Sequence, residues 1–146
     1  RAARKARKKI VTTNGCFDLL HVGHIRNLKA AKKFGDILIV GVNSDASVKK
    51  NKGSKRPIIS AKERVEMLAE LNCVDYVFIF SNERPFRWIS KIKPDFHVKG
   101  QGSEYSPAYK FEEKNVQKRG GKMVLVPHIE GHSTTAIIEK VIKLYK

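Results

Sequence analysis

The sequence predicts an α/β fold, a Rossmann-like, doubly wound, five-stranded parallel sheet with helices on both faces. Short β-branched runs alternate along the chain with longer segments whose apolar residues recur at helical spacing. The run ILIVGV at 37–42 is apolar without alternation, which is typical of a strand covered on both faces and predicts a central place in the sheet. The 146 residues are enough for one such domain and too few for two ordinary ones.

Each predicted element has its own local signal. Ser60 followed by Glu63 forms a capping box that predicts the start of a helix, and Ser133 is the predicted cap of the last helix. Pro94 predicts the end of the helix that precedes the fourth strand. A loop is predicted at 43–55, directly after the second strand. The predicted strands lie at 9–13, 37–42, 76–80, 96–99 and 123–126, and two further helices are predicted at 24–34 and 108–119.

The charge balance indicates polyanionic partners. Lys and Arg number 30 against 14 Asp and Glu, a formal net charge of +16, which suits nucleotides, sugar phosphates, nucleic acid or an anionic surface without choosing among them. A basic nucleic-acid-binding module is the non-enzyme alternative, and it lacks support because no zinc-finger, helix-turn-helix or RNP-like pattern is visible. We interpret 1–146 as a single domain and 1–9 as a basic helical lead-in that is compatible with the end of a longer chain.

Cysteine usage and hydropathy suggest a compartment. Cys16 and Cys73 show no metal-type spacing, and no secretory segment precedes them, which favours a reducing, cytoplasmic setting. No apolar run approaches the ~20 residues of a membrane span, so no membrane partner is expected.

The most informative motif is His21-Val22-Gly23-His24, which follows a predicted strand and the pair Asn14-Gly15. Histidines three apart on the first turn of a helix share one face, where each can donate a hydrogen bond to a phosphoryl oxygen while Gly23 lets that oxygen approach the backbone. A purely structural role and a two-histidine metal site are the alternatives. The position between strand and helix favours phosphate contact.

A second phosphate-binding segment is predicted immediately before the last helix. Gly131-His132-Ser133-Thr134-Thr135 would expose hydroxyls and backbone amides at a positive helix end, which suits the β- and γ-phosphates of a nucleoside triphosphate; simple capping is the alternative. The segments 12–24, 43–55, 99–105 and 128–135 all follow predicted strands. In a parallel sheet they therefore meet beyond the carboxyl ends of the strands, where such folds bind ligands.

Five ordered motifs resemble the HxGH nucleotidyltransferase superfamily over nearly the whole chain. They read TTNGCFDLLHVGH, VNSD, RPIISAKER, PDFHVKG and EGHSTTAIIEK. Within the superfamily the chain most resembles the D-glycero-β-D-manno-heptose 1-phosphate adenylyltransferases, which are often fused behind a sugar kinase. Glycerol-3-phosphate cytidylyltransferase is the nearest alternative, and archaeal-type FAD synthetase shares the histidine motif. Two departures stand out: His128 where the cytidylyltransferases carry an arginine, and 99–105 in place of Lys-Gly-Gly-Asp-Tyr.

The resemblance implies attack by a phosphomonoester oxygen on the α-phosphorus of a nucleoside triphosphate, with release of pyrophosphate. ATP is expected in preference to CTP, and a sugar phosphate such as heptose 1-phosphate is the expected acceptor. Mg²⁺ is expected to arrive with the triphosphate, and we name no metal-binding residues because this ion keeps several waters. A homodimer, fused to or paired with a sugar kinase, is also expected.

The resemblance assigns roles to individual residues. His21 and His24 are the expected donors to the transferred phosphoryl group, and Lys49, with Lys52 as the alternative, is the expected catalytic lysine. The expected nucleotide-binding residues are Thr13, Asn14, Gly15, Cys16, Phe17, Gly23, Lys99, Gly100, Ser133, Thr134 and Thr135.

Three further residues are expected to bind the substrate. Asp18 is expected to structure its loop, Asp45 to bind a sugar hydroxyl, and Arg64 to contact substrate, with an ordinary exposed helix arginine as the alternative for the last. Core, subunit-contact or ordinary polar roles are expected for Phe86, Trp88, His97 and His128.

Overall fold

The computed structural model describes residues 5–81, 87–127 and 131–146. Within them, five parallel strands form one sheet in the order β3-β2-β1-β4-β5, which confirms the predicted fold class. The strands are β1 (Ile10–Gly15), β2 (Ile37–Asn43), β3 (Tyr76–Phe80), β4 (Phe96–Gly100) and β5 (Lys122–Val126). The helices are α1 (Val22–Lys32), α2 (Asp45–Lys52), α3 (Ala61–Ala69), α4 (Arg87–Ile92), α5 (Pro107–Gln117) and α6 (Thr134–Tyr145), with a 3₁₀ helix at Ser103–Tyr105.

The apolar strands form the centre of the core. Val11 of β1 and Leu38, Val40 and Val42 of β2 are fully buried, and Leu28 of α1 packs into the same cluster. Leu38, Val40 and Val42 alternate along β2 and bury one face of the run at 37–42, whereas Ile37 and Ile39 on the other face are partly buried, so the predicted cover is complete on one face and partial on the other. The middle strand is β1, and β2 lies beside it with β3 on its other side.

The crevice of the sheet lies between β1 and β4. From β1 the chain passes to β2 and β3 on one side and then returns to β4 and β5 on the other, so the strand order reverses between these two strands. Thr12 and Thr13 strengthen this junction: the Thr12 hydroxyl lies 2.7 Å from His97 Nδ1, and the Thr13 hydroxyl donates to the Val98 carbonyl at 2.8 Å. A ligand site is expected beyond the carboxyl ends of these two strands.

Several helix starts agree with the sequence signals. The Ser60–Glu63 capping box is formed, and the Ser133 hydroxyl accepts the Ala136 amide at 3.0 Å at the start of α6. The helix at 24–34 begins two residues earlier than predicted, with His21 as its cap.

Two predictions about local structure were wrong. The segment 43–55 was predicted to be a loop but contains the helix α2, which Ser44 caps and whose Val48 is fully buried. The many lysines of this segment made both helix signals hard to recognise in the sequence. Residues 6–9 of the predicted helical lead-in are not helical, and Arg7 has a left-handed φ of 53°, which no continuing helix allows. None of the described helices is long and apolar enough to cross a membrane.

Candidate active site

Two adjoining chambers open at the carboxyl ends of β1 and β4. The outer chamber has a volume of about 360 Å³ and the inner chamber about 140 Å³, and Cys16, Phe17, His24 and Asn27 line both. The outer chamber is completed by Asp18, His21, Gly23, Lys52, Arg56, His132, Ser133, Thr134 and Thr135. The inner chamber is completed by Thr13, Asn14, Gly15, Leu28, Val98, Lys99, Gly100 and Val126.

The two motif histidines form a fixed pair at the start of α1. Their rings stack with centroids 3.8 Å apart and planes 27° apart. His21 Nδ1 accepts the Gly23 amide at 3.1 Å, and His24 Nδ1 accepts the His21 amide at 3.3 Å. A ring nitrogen that accepts an N–H carries no proton, so the neutral rings hold their protons on Nε2. Both residues can therefore donate from Nε2 to a bound phosphate.

The environment of His24 keeps its ring neutral. Burial, together with the neighbouring His21, lowers the pKa of His24 to about 4, against a weaker opposing effect of Asp18. Gly23 is required for space, since a Cβ at this position would lie 2.9 Å from the His21 ring and 3.2 Å from the His132 Cβ. The motif thus provides two neutral donors beside an unobstructed backbone.

Asp18 connects three segments around the outer chamber. Its side chain is 1% exposed, and its carboxylate accepts the amides of Ile58 and Ile59 at 3.0 Å and Nε of Arg56 at 2.5 Å. Burial alone would raise the pKa of Asp18, but the amides of Ile59 and Ile58 and the Arg56 guanidinium outweigh it and lower that pKa. Its carbonyl accepts the Thr134 hydroxyl at 2.5 Å. These bonds support the predicted loop-structuring role.

Backbone strain marks the same loop. Phe17 and Leu19, which flank Asp18, adopt φ of 51° and 52°. Left-handed backbone is rare for side chains of this size and persists where the surrounding structure holds it. Beside it, burial raises the pKa of the Cys16 thiol despite nearby Lys52 and arginines, so this cysteine is not activated as a nucleophile.

Of the candidate lysines, Lys52 lines the outer chamber and Lys49 lines neither chamber. Lys52 ends α2, and Arg56 follows in the connection to α3. The geometry therefore favours Lys52, the alternative, over Lys49 as the lysine that contacts phosphate. Arg56 adds a second cation, held in place by its contact with Asp18.

Arg64 and Asp45 lie outside both chambers. Arg64 is fully buried, which excludes the exposed alternative, and its guanidinium donates to the carbonyls of Cys16, Ile59 and Asn43. It also contacts Asp45 Oδ1 at 2.8 Å. Neither residue lines a chamber, which argues against the direct substrate contact expected of them. Arg64 fastens the loop after β1 to α3 through the Cys16 carbonyl, and Asp45 fastens the start of α2 to α3 by also accepting the Ala61 amide at 2.9 Å.

A buried polar cluster supports the inner chamber. Asn14 donates from Nδ2 to Glu112 Oε1 at 2.9 Å and accepts from Lys99 Nζ at 2.7 Å, while Lys99 lies 3.2 Å from Glu112 Oε2. His97 is fully buried, bonded to Thr12, and outside the lining of both chambers, as expected of an ordinary polar residue.

Sequence reasoning assigned no role to Arg56, which lines the outer chamber, and it missed three further residues that the structure brings to the site. Asn27 lies three residues after His24 on the same helix, a spacing that places the two on one face and gave a usable signal. His132 lies within the predicted phosphate segment but had no assigned role. Glu112, deep in the middle of α5, had no sequence signal. Trp88 packs against Phe78 and Phe80 in the core, as predicted, whereas Phe86 and His128 lie outside the described residues.

The described residues do not provide a dedicated metal site. No group of three or more His, Cys, Asp or Glu side chains among them is arranged to hold an ion. Asp18 is the carboxylate lining the outer chamber, and its oxygens already accept three donors from segment 56–59.

Comparisons with known proteins agree with this architecture. Residues 12–140 match the cytidylyltransferase-like family. The bifunctional protein HldE of Geobacter metallireducens is 51% identical over 144 residues, which cover 98% of this chain and 29% of that protein. HldE of Helicobacter pylori is 49% identical over 138 residues, covering 92% of this chain and 28% of that protein. The chain thus spans less than a third of the length of these relatives.

Solved structures show the same fold. The lipopolysaccharide core biosynthesis protein from Thermoplasma volcanium superposes with a TM-score of 0.70 at 29% identity, covering 86% of this chain and 99% of that one. Pantoate-β-alanine ligase from Francisella tularensis, with a TM-score of 0.59 at 18% identity over 95% of this chain and 70% of its own, shares the fold alone. The resemblance carried by the ordered motifs is confirmed, and the chain belongs to the cytidylyltransferase-like family.

Proposed function

We propose that the domain is an adenylyltransferase that joins ATP to a sugar phosphate of the heptose 1-phosphate class and releases pyrophosphate. The observation that carries this proposal is the outer chamber itself. Two neutral histidines with protonated Nε2, the cations Lys52 and Arg56, and the first turn of α6 surround one space of about 360 Å³. Such a set of donors and positive charges suits a triphosphate and an attacking phosphate.

Different walls of the outer chamber are proposed to bind different phosphates of the substrate. The β- and γ-phosphates lie at the first turn of α6. There the Ser133 hydroxyl accepts the Ala136 amide and donates to no other group among the described residues, so its proton can be donated to a phosphate. The α-phosphoryl group lies near Nε2 of His21 and His24. The acceptor's phosphate oxygen, already ionised, attacks the α-phosphorus and displaces pyrophosphate, so no general base and no covalent enzyme intermediate is needed.

Charge stabilisation is the main catalytic contribution of this chain. Negative charge grows on the α-phosphoryl oxygens and on the bridging oxygen as pyrophosphate departs. Preorganised donors at those positions lower the barrier because they need no reorientation during the reaction. Mg²⁺ would accompany ATP and would add positive charge at the phosphates, and we assign it no ligands among the described residues.

The choice of ATP and of a sugar phosphate rests on sequence similarity. The segments NSDAS, RP and VKG resemble the heptose-phosphate adenylyltransferases, and HldE is described as bifunctional. Of the backbone groups after β4, the Gly100 carbonyl already accepts the Ser103 hydroxyl and the Gln101 amide already donates to the Val126 carbonyl, so these two groups do not identify the base. The inner chamber is the proposed position of the nucleoside.

We further propose the protein context of this reaction. The chain matches less than a third of HldE, which supports a fusion to, or pairing with, a sugar kinase that supplies the phosphorylated acceptor. A homodimer in the cytoplasm, where ATP is available and Cys16 and Cys73 stay reduced, completes this proposal.

The proposal is tested by initial rates of pyrophosphate release. ATP and CTP are each paired with heptose 1-phosphate and with glycerol 3-phosphate. We expect ATP with heptose 1-phosphate to be fastest by a wide margin, because a site that hydrogen-bonds one base leaves buried groups unpaired with the other. Faster turnover of CTP with either acceptor would contradict the adenylyl assignment, and absence of release in all four pairs would contradict nucleotidyl transfer.

The histidine roles have a matched pair of variants. In His21→Asn the side-chain oxygen retains an acceptor near the position of Nδ1, and asparagine is a good helix cap, but the donor at Nε2 is lost. We expect kcat to fall on the order of 10²-fold, as for loss of one oxyanion-type donor, with the thermal midpoint nearly unchanged. His24→Asn is expected to behave alike. Near-normal kcat in both folded variants would contradict the donor role.

A further inference from the structure

Glu112 is a buried carboxylate that the proposed reaction does not use. Its side chain is 2% exposed and comes from the middle of α5, which packs against β5 and α4. Burying an ionised carboxylate is costly unless it is paired and hydrogen-bonded. Glu112 lies behind the wall of the inner chamber and lines neither chamber, so its role has to come from its partners.

The partners of Glu112 come from the two strands that form the crevice. Asn14, at the end of β1, donates to Oε1 at 2.9 Å, and Lys99, at the end of β4, lies 3.2 Å from Oε2. His97 Nε2 also faces Oε2, at 3.8 Å. Burial, and secondarily the charge of Lys99, hold the pKa of His97 well below its usual range, so this ring is neutral. Lys99 is thus the cation that balances Glu112.

The same contacts fix two residues that line the inner chamber. Lys99 donates to Asn14 Oδ1 at 2.7 Å and forms an ion pair with Glu112 at 3.2 Å, so two hydrogen bonds and one ion pair join the three side chains in a closed triangle. A free lysine side chain has four rotatable bonds, so its ammonium can move toward a nearby anion. In this triangle the ammonium is instead held in one place, and its charge is balanced by a carboxylate behind it.

We propose that Glu112 is a positioning residue: it holds Lys99 and Asn14 in place and cancels the lysine charge, so that the inner chamber receives the uncharged nucleoside and phosphates stay in the outer chamber. This inference rests on the proposed function, since it assigns the nucleoside half of ATP to the inner chamber. The outer chamber keeps its own cations, Lys52 and Arg56, for the phosphates. The two chambers thus differ in net charge as well as in size.

The test separates nucleoside binding from phosphate binding. Calorimetric titration of adenosine and of inorganic pyrophosphate is carried out on the wild type, on Glu112→Gln and on the control Glu113→Gln. Glu113 lies on the same helix and is half-buried, so the control changes charge equally. In Glu112→Gln we expect adenosine to bind about tenfold more weakly, as for loss of a charged partner, with pyrophosphate bound at least as tightly as by the wild type because the Lys99 charge is no longer cancelled. The control should bind both like the wild type.

Kinetics supply a readout that a merely structural role would not produce. With ATP varied, Glu112→Gln should raise KM about tenfold and leave kcat within about threefold, because its partners orient substrate without touching the reacting phosphorus. An unchanged affinity for adenosine, or equal weakening of adenosine and pyrophosphate, would overturn the inference. So would a fall in kcat with KM unaltered.

A double variant keeps the test valid should Glu112→Gln fold poorly. Glu112→Gln combined with Lys99→Gln leaves no unpaired charge, and it should bind adenosine as weakly as Lys99→Gln alone. A further tenfold loss in the double variant would show that Glu112 does not act through Lys99. If the wild type releases no pyrophosphate from ATP with heptose 1-phosphate, the proposed function fails; if it does and Glu112→Gln binds adenosine as tightly as the wild type, only this inference fails.

Discussion

Asp18→Asn tests the connection on which the outer chamber depends. The wild-type carboxylate accepts two amides and the Arg56 guanidinium while only 1% exposed. The asparagine side chain retains one acceptor oxygen for the amides of Ile58 and Ile59. Arg56, however, loses its negatively charged partner, and the new NH₂ group faces groups that are themselves donors. Loss of a buried, charge-assisted bond together with one unsatisfied donor lowers the free energy of unfolding by about 3 kcal/mol.

The assay is urea denaturation at pH 7, with Asp36→Asn as the control. Asp36 accepts the Lys9 amide at an exposed turn, so the same loss of charge should cost less than about 1 kcal/mol there. Because the pKa of Asp18 is lowered in the folded state, its contribution is fully present above the ordinary aspartate value near 3.8 and is lost as pH falls through the lower, folded-state value. The difference between wild type and variant should therefore shrink below pH 4. A variant within about 1 kcal/mol of wild type at pH 7 would refute the reasoning.

Three further predictions concern the walls of the outer chamber. In steady-state assays Lys52→Ala should raise KM for ATP about tenfold. Lys50 is an exposed lysine of the same helix, and Lys50→Ala should change this KM less than twofold. Equal effects of the two variants would contradict the placement of Lys52 beside the phosphates. Ser133→Ala should raise KM for ATP. The Thr134 hydroxyl already donates to the Asp18 carbonyl, so Thr134→Val should mainly lower the thermal midpoint, because the free energy of unfolding falls by about 1 kcal/mol. The pKa of His24 is depressed from 6.5 to about 4, so unfolding free energy should decline as pH falls across that window by at most about 3 kcal/mol. His24→Asn should show a shallower decline in urea midpoints, and an identical slope would contradict the depressed pKa.

The sheet was predictable because its signals are local. Apolar runs without alternation identify buried parallel strands, and all five strands were found with end errors of one or two residues. The helix α2 was not predicted. Its exposed face carries Lys49, Lys50 and Lys52, a composition that is also typical of a loop, and on its inner face Val48 is the main apolar residue. A short helix with one buried apolar residue gives little periodicity to read.

The site was predictable in its glycines, histidines, caps and Asp18, and not in the buried charges of Arg64 and Glu112. His21, Gly23 and Ser133 act through neighbours two or three residues away, so their roles can be read along the chain. Arg64 and Glu112 act through partners 48 and 98 residues distant, Cys16 and Asn14. No local pattern distinguishes such a buried charge from an exposed helix residue, because only the tertiary fold brings its counter-charge to it.

Oxygen-18 transfer tests the central claim most directly, that the acceptor's phosphate oxygen attacks the α-phosphorus of ATP within the outer chamber. Heptose 1-phosphate labelled in its non-bridging phosphate oxygens is incubated with unlabelled ATP and the protein, and the products are analysed by mass spectrometry and phosphorus NMR. The account predicts an ADP-sugar with label in the oxygen that bridges the two phosphorus atoms, and pyrophosphate without label. Label in the pyrophosphate, an unlabelled bridging oxygen, or no ADP-sugar would contradict it.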